Sequence, residues 1–235
     1  MAKSILIGIQ ARSGSTRLPR KAFETIGGKW MLDHVIDACK KSAGFLSRDS
    51  GIKTRVVVLT PAGDPIATAF KSRCDIIEGP EQDVLARYLL ALEEHEPDLM
   101  VRITGDCPLI PSFVISRVIS LALKHAYDYI GNGDDRFRTS LDGVDCEVIS
   151  NKLLVEVGRL AVSKEDREHV TTLIRRDTPP WARIGHVMNH FDHSEQKLSV
   201  DTPEDLERVR KVYDSGEDKY RLAIRTLGQS QVHLL

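Results

Sequence analysis

No apolar run in the chain approaches the roughly 18 residues that a bilayer-spanning helix needs, so no membrane segment is expected. The first apolar run, Ile5-Leu6-Ile7-Gly8-Ile9, is too short for a secretory leader and ends in Gln10-Ala11-Arg12. Cysteine is sparse: the four residues Cys39, Cys74, Cys107 and Cys146 form no C-x-x-C pair, which fits reduced thiols in a cytoplasmic protein. An excess of one charge is missing as well, with 33 Lys and Arg against 34 Asp and Glu. A general nucleic-acid or membrane-surface binder carries a large basic surplus, so neither partner is expected. Internal repeats and low-complexity linkers are also absent. What is present is an ordinary globular composition over 235 residues, 41% apolar and 29% charged. A chain of this length buries about 70% of its unfolded surface. It reads as a single domain, 1–235, with an inserted arm at about 132–175.

Short β-branched runs alternate with helical periodicity through the first half. Residues 4–10, 54–60, 74–78, 99–104 and 127–130 read as strands. Apolar residues at helical spacing predict helices over 30–41, from Pro65 to about Ser72, over 82–95 and over 111–125. This order predicts an α/β protein with a mostly parallel sheet covered by helices on both faces. Right-handed crossovers then place ligands at the carboxyl ends of the strands. After residue 131 the pattern changes. GNGDDRFRTSLDG is a polar loop, 145–149 is a candidate strand, and helices are expected at about 151–160 and 165–176. The helix from Pro203 to Tyr213 has a clear start: Thr202 as cap, Pro203 at the first helical position and Asp205 at capping-box spacing.

Three loops carry candidate chemistry. In Gln10-Ala11-Arg12-Ser13-Gly14-Ser15-Thr16-Arg17-Leu18-Pro19-Arg20-Lys21, residues 12–21 hold four cations and no acid, directly after the first strand. Cations and backbone N–H groups at such a strand end can surround phosphate. The loop is neither G-x-x-x-x-G-K-[ST] nor G-x-G-x-x-G, and a solvated surface loop is the alternative. Asp106, in Arg102-Ile103-Thr104-Gly105-Asp106-Cys107-Pro108, sits where a sheet aims a metal-binding carboxylate into its crevice. Asp201, in Leu198-Ser199-Val200-Asp201-Thr202-Pro203, lies between a strand-like run and a helix. Each aspartate can equally be a cap or turn residue. Cys107 has no histidine placed by spacing to activate it. His186, His190 and His193 are spaced i, i+4, i+7, which suits a metal site only on a helix, whereas the flanking PPWARIG reads as extended.

ARSGSTRLPRK, RITGDCPLI and SVDTPEDLERV together resemble, in order and spacing, the cytidylyltransferases that make CMP-activated sugars, such as CMP-Kdo and CMP-sialic acid synthetases. The stretches GPEQDVLARY (79–88), DGVDCEV (142–148) and DREHVT (166–171) are similar to the branch typified by spore coat polysaccharide biosynthesis protein F. The resemblance covers about residues 5 to 213. It implies a Rossmann-like, GT-A-like nucleotidyltransferase fold and transfer of CMP from CTP to a sugar-acid hydroxyl, with release of pyrophosphate. By the same resemblance Lys21, Arg12, Asp106 and Asp201 are catalytic, and Asp106 and Asp201 hold Mg²⁺. Gln10, Ala11, Arg12, Ser13, Gly14, Lys21, Asp83, Arg87 and Thr104 face the nucleotide. Asp145, Glu147, Arg167, Glu168 and His169 lie near the acceptor, and Arg167 or Arg138 can supply a cation for its carboxylate. A homodimer through the arm is implied as well. The DREHV run can instead be a solvated helix face. Thr104 stands where the Kdo branch has Gln, and that branch's SGTDR-like stretch is missing, which leaves the acceptor open. Rival readings are a nucleotidyltransferase for another NTP or a phosphorylated acceptor, a nucleotide-sugar glycosyltransferase, which usually carries a D-x-D motif absent at the Asp106 strand end, and a non-catalytic nucleotide-binding protein.

Overall fold

The β-branched runs pair as one sheet in a computed structural model that describes residues 4–215 and 231–234. In chain order the elements are β1 (Ser4–Gln10), the two-residue strands β2 (Thr25–Ile26) and β3 (Lys29–Trp30), α1 (Met31–Ser50), β4 (Lys53–Pro61), α2 (Pro65–Phe70), β5 (Asp75–Gly79) and α3 (Val84–His95). There follow β6 (Leu99–Thr104), α4 (Ser112–His125), β7 (Tyr129–Gly131), β8 (Glu147–Ser150), α5 (Asn151–Leu160), α6 (Lys164–His169), α7 (Thr172–Arg176), β9 (Ile184–Met188), α8 (Pro203–Ser215) and β10 (Gln231–Leu234). A 3-10 turn covers Lys21–Phe23.

The sheet order is β5-β4-β1-β6-β8-β7-β9-β10. Strands β5, β4, β1 and β6 are parallel, β7 and β9 continue that direction, and β8 and β10 oppose it. The chain lays β4 and β5 on one side of β1, then returns to place β6 on the other. This reversal opens a crevice between the carboxyl ends of β1 and β6, where ligands of open α/β sheets bind.

Strand alternation sends side chains to two cores. Ile5, Ile7 and Ile9 of β1 join Val101 and Ile103 of β6 beneath α1, α4 and α8. Leu6 and Met100 join the opposite core with residues of α3, α5 and α7. Gly8 is required on that second face: a Cβ there would lie 2.8 Å from Tyr88 Cε1, and the Tyr88 hydroxyl donates to the Gly8 carbonyl at 3.1 Å. Among the described residues no helix is long and apolar enough to cross a membrane.

Several elements differ from expectation. The first helix, expected to end at 41, runs to Ser50, because nothing breaks it before Gly51 closes it in the left-handed region at φ 65°. The helix expected over 165–176 is broken at Val170, which sits at φ 61°. Arg176 folds back to donate to both Asp166 carboxylate oxygens at 3.1 and 3.0 Å. Residues 198–200 form no strand; Leu198 N–H donates to the Asp142 carbonyl at 2.6 Å and Val200 N–H to the Asp106 carbonyl at 2.9 Å, beside an isolated bridge between Asp142 and Lys197. The β2–β3 hairpin adds to the expected elements, its turn made by Gly27 and Gly28 at φ 54° and 79°.

Candidate active site

The cationic loop is shaped by its own backbone and by the helix beyond the neighbouring strand. Ser15 N–H and Arg20 N–H both donate to the Ser13 carbonyl, at 3.0 and 2.9 Å. Ser13 donates through its N–H and hydroxyl to Asp64 Oδ2 at 2.8 and 3.0 Å, while Asp64 Oδ1 caps α2 at Ile66 N–H, 2.9 Å. Arg20 is left-handed at φ 57° and stacks on Phe23, so it turns away while Lys21 turns in.

Lys21 Nζ is the meeting point. It donates to Asp106 Oδ2 at 2.9 Å, to the Val200 carbonyl at 2.8 Å and to Asp201 Oδ1 at 3.3 Å. Arg17 reaches Asp201 at 2.9 Å and Lys197 reaches it at 3.1 Å, so three cations surround one carboxylate. Val200 N–H also donates to the Asp106 carbonyl at 2.9 Å, which stitches the two acidic loops together. Burial alone would raise the Asp106 pKa, but the Lys21 charge and hydrogen bonds from Lys21 and Thr104 hold it below the usual carboxylate range. Gly105 lets this turn close on β1: its N–H donates to the Gln10 carbonyl at 2.9 Å, and a Cβ would lie 3.0 Å from that oxygen.

These groups open into a cavity of about 480 Å³. Of the residues singled out from the sequence, Gln10, Ala11, Arg12, Lys21, Arg87, Thr104, Asp106, Glu168, His169 and Asp201 line it. Arg87 is only 2% exposed. Among the described residues its one hydrogen bond is a long contact from Nη1 to the Leu59 carbonyl at 3.4 Å, and its buried Nε has no partner. Burial, then the nearby Arg12 charge, lowers its pKa. Among the described residues no carboxylate pairs with it directly, although Asp64 and Asp83 lie near enough to favour its charge, and its unused N–H donors suit an acceptor-rich ligand.

The structure does not bring the remaining candidates to the lining. Ser13 is turned to Asp64, and Gly14 is not part of the lining. Asp83 caps α3 at Ala86 N–H, 2.8 Å, and pairs with Arg167, so those two consume each other. Asp145 is gripped by Arg138 at 2.8 and 2.9 Å. Glu147 lies under the cavity floor, 1% exposed, accepting from Arg102 at 2.5 Å and from Arg175 and the Tyr129 hydroxyl at 2.6 Å each. Burial would raise its pKa, yet the two arginine charges and the hydrogen bonds hold it at about 2. Cys107 is buried and its thiol is pushed well above the ordinary value by desolvation and by the Asp106 charge, which leaves a poor nucleophile. Among the described residues no group of three His, Cys, Asp or Glu side chains is placed to hold a metal ion, and His186 lies on β9 rather than on a helix.

Arg17 and Lys197 partner Asp201, and Arg102 and Lys164 stand in the cavity wall, roles that the sequence does not single out. Arg102 carried a usable signal: a charged residue inside the run Leu99–Thr104, otherwise apolar to its last residue.

A switch-point crevice whose cationic loop meets two carboxylates defines a class of enzyme, the nucleotidyltransferases. The chain belongs to the cytidylyltransferase family, whose profile matches residues 6–229. It is 29% identical over 222 residues to the spore coat polysaccharide biosynthesis protein SpsF of Bacillus subtilis, covering 92% of this chain and 88% of that protein. It is 28% identical over 213 residues to a 3-deoxy-manno-octulosonate cytidylyltransferase of Pseudomonas fluorescens, covering 86% and 72%. A solved cytidylyltransferase from Leptospira borgpetersenii superposes with a TM-score of 0.79 at 28% identity, covering 97% of this chain and 95% of that one.

Proposed function

We propose that this enzyme transfers CMP from CTP to the hydroxyl of a sugar acid, releasing pyrophosphate, in the synthesis of a surface polysaccharide. The observation that carries the reading is the Lys21 ammonium lodged between Asp106 and Asp201, beside Gln10 and Arg12 in one cavity. The names of the Bacillus and Pseudomonas relatives support a polysaccharide context and a sugar-acid acceptor.

The donor set fits a divalent cation such as Mg²⁺. Two carboxylates already converge on a positive charge, and Mg²⁺ is commonly held by one or two carboxylates with phosphate oxygens and water completing its shell. Held by Asp106 and Asp201, it would offset phosphate charge and lower the pKa of a nearby hydroxyl. The chain's own groups do the rest. Arg12, Arg17 and Lys21 offset a polyanion that otherwise repels a nucleophile. The acceptor oxygen bonds to the α-phosphorus, the bond from that phosphorus to the bridging oxygen breaks, and pyrophosphate leaves. The hydroxyl proton passes to a cavity carboxylate or to water.

The test is initial-rate pyrophosphate release with CTP, UTP, ATP and GTP against a panel of ulosonic and nonulosonic acids. Cytosine presents an amino donor where uracil presents a carbonyl, and an unpaired buried contact costs about 1–3 kcal/mol. CTP is therefore expected to exceed UTP by roughly 5- to 150-fold in kcat/KM, with purines excluded by size. Equal rates with CTP and UTP, or a preference for GTP, would overturn the reading.

A further inference from the structure

On one wall of the cavity, Arg102 shares its only carboxylate partner among the described residues with a second arginine. Strand register puts Arg102 beside Gly8 and Thr104 beside Gln10, on one face of the sheet. The Arg102 side chain is 12% exposed and lines the cavity. Its Nε donates to Gln10 Oε1 at 3.0 Å and its Nη1 to Glu147 Oε2 at 2.5 Å, while Nη2 has no partner among the described residues. Glu147 also neutralises Arg175, at 2.6 Å, so two guanidinium groups share one buried carboxylate. The trio keeps a net positive charge in a place where unbalanced charge is costly. With Gln10 Oε1 accepting from Arg102, the Gln10 amide N–H groups are its unpaired donors for a ligand. On this wall the Arg102 guanidinium and the Gln10 amide N–H groups are donors for an acceptor-rich ligand. The arginines that the sequence suggested for an acceptor carboxylate are occupied, Arg138 by Asp145 and Arg167 by Asp83.

We propose that Arg102 receives the carboxylate of the acceptor, and that Glu147 and Gln10 hold its guanidinium in the pose that selects an acid over a neutral sugar. A planar guanidinium fork matches a carboxylate in charge and geometry. The phosphates have their own cations in Arg12, Arg17 and Lys21, one strand away in the loop after β1. The inference rests on the sugar-acid reading above and adds the residue that reads the acid.

The experiment is equilibrium binding of 3-deoxy-manno-octulosonate, and of its analogue with the carboxyl reduced to an alcohol, to the full chain. CDP is present throughout because it has no pyrophosphate to lose. Wild type should hold the acid at least about 10-fold more tightly than the alcohol, the scale of one hydrogen bond to a charged group. Arg102→Gln should erase that preference while CDP affinity stays within about 3-fold, a change under 1 kcal/mol. Arg102→Lys, which keeps the charge over Glu147, should retain part of it and serves if the glutamine variant does not fold. No acid preference in wild type, a preference that survives Arg102→Gln, or an equal loss of CDP and acid binding would each overturn the proposal. Pyrophosphate release from CTP reports the reaction separately: no release alongside an Arg102-dependent acid preference removes the proposed reaction and leaves this inference standing.

Discussion

At Lys21 one ammonium satisfies two carboxylates and a carbonyl, so its removal changes more than a phosphate contact. Asp106 and Asp201 would then face each other without their shared counter-charge, and an incoming polyphosphate would meet a more acidic crevice. Lys21→Ala should raise the nucleotide KM and lower kcat, a combined loss on the order of 10²-fold. Lys21→Arg should recover only part, since a wide fork does not fit a seat built for a point charge. Asp106→Asn and Asp201→Asn conserve shape and remove charge; each should cost at least about 10²-fold in turnover while the fold survives. Pyrophosphate release at varied CTP checks all four variants. Near-normal rates in either asparagine variant at ordinary magnesium would remove the metal assignment. If Lys21→Ala altered only acceptor kinetics, the assignment of the loop to phosphate would fail.

Among the elements, α8 shows how a helix start can hold a site. Thr202 Oγ1 accepts from Asp205 N–H at 3.3 Å and Asp205 Oδ2 accepts from Thr202 N–H at 3.1 Å, a reciprocal capping box. The same Asp205 oxygen accepts from Asp201 N–H at 3.0 Å and from Lys197 Nζ at 2.9 Å. The cap thereby fixes the backbone that presents the Asp201 carboxylate. Thr202→Ala should cost about 0.5–2 kcal/mol of stability, the worth of a cap, with little change in rate. Asp205→Ala should cost more and should also slow turnover, because Asp201 loses its anchor. Thermal unfolding measured beside pyrophosphate release separates the two effects; equal rates in both variants would show that the cap does not position the site.

Across the whole molecule, Glu147 ties β8 to β6 through Arg102, to β7 through Tyr129 and to α7 through Arg175. Its carboxyl is held at about 2, below an ordinary value of 4.5. A folded value depressed in this way contributes stability in full above about pH 4.5, and the contribution is lost as pH falls through about 2. The size is on the order of 3 kcal/mol. Glu147→Gln should therefore be markedly less stable than wild type near pH 7, where breaking a buried pair costs about 3–5 kcal/mol. Its urea midpoint should also fall less than the wild-type midpoint between about pH 5 and about pH 2. Parallel midpoints over that range would show that Glu147 does not set the acid response.

The sequence by itself determined most of the strands and helices and the cationic character of the first loop. Strand runs such as Leu99–Thr104 and the Thr202–Asp205 start of α8 are local matters of periodicity, β-branching and capping, all within a few residues. Arg12, Lys21, Asp106 and Asp201 stand out in the sequence because their residue types suit phosphate and metal, and the structure brings all four to one cavity. Only the tertiary structure decided which charges face the cavity. Lys21 meets Asp106 across 85 residues and Asp201 across 180, and no local pattern encodes those distances. Glu147 carries the same side chain whether it faces a ligand or lies beneath one; the antiparallel entry of β8 beside β6 placed it opposite Arg102 and out of the cavity. Asp83 and Arg167 were spent on each other when α6 packed against the start of α3. A charge in a sequence is an offer of a partner. Packing chooses the partner, because each buried charge left unpaired is costly and the fold carries few of them.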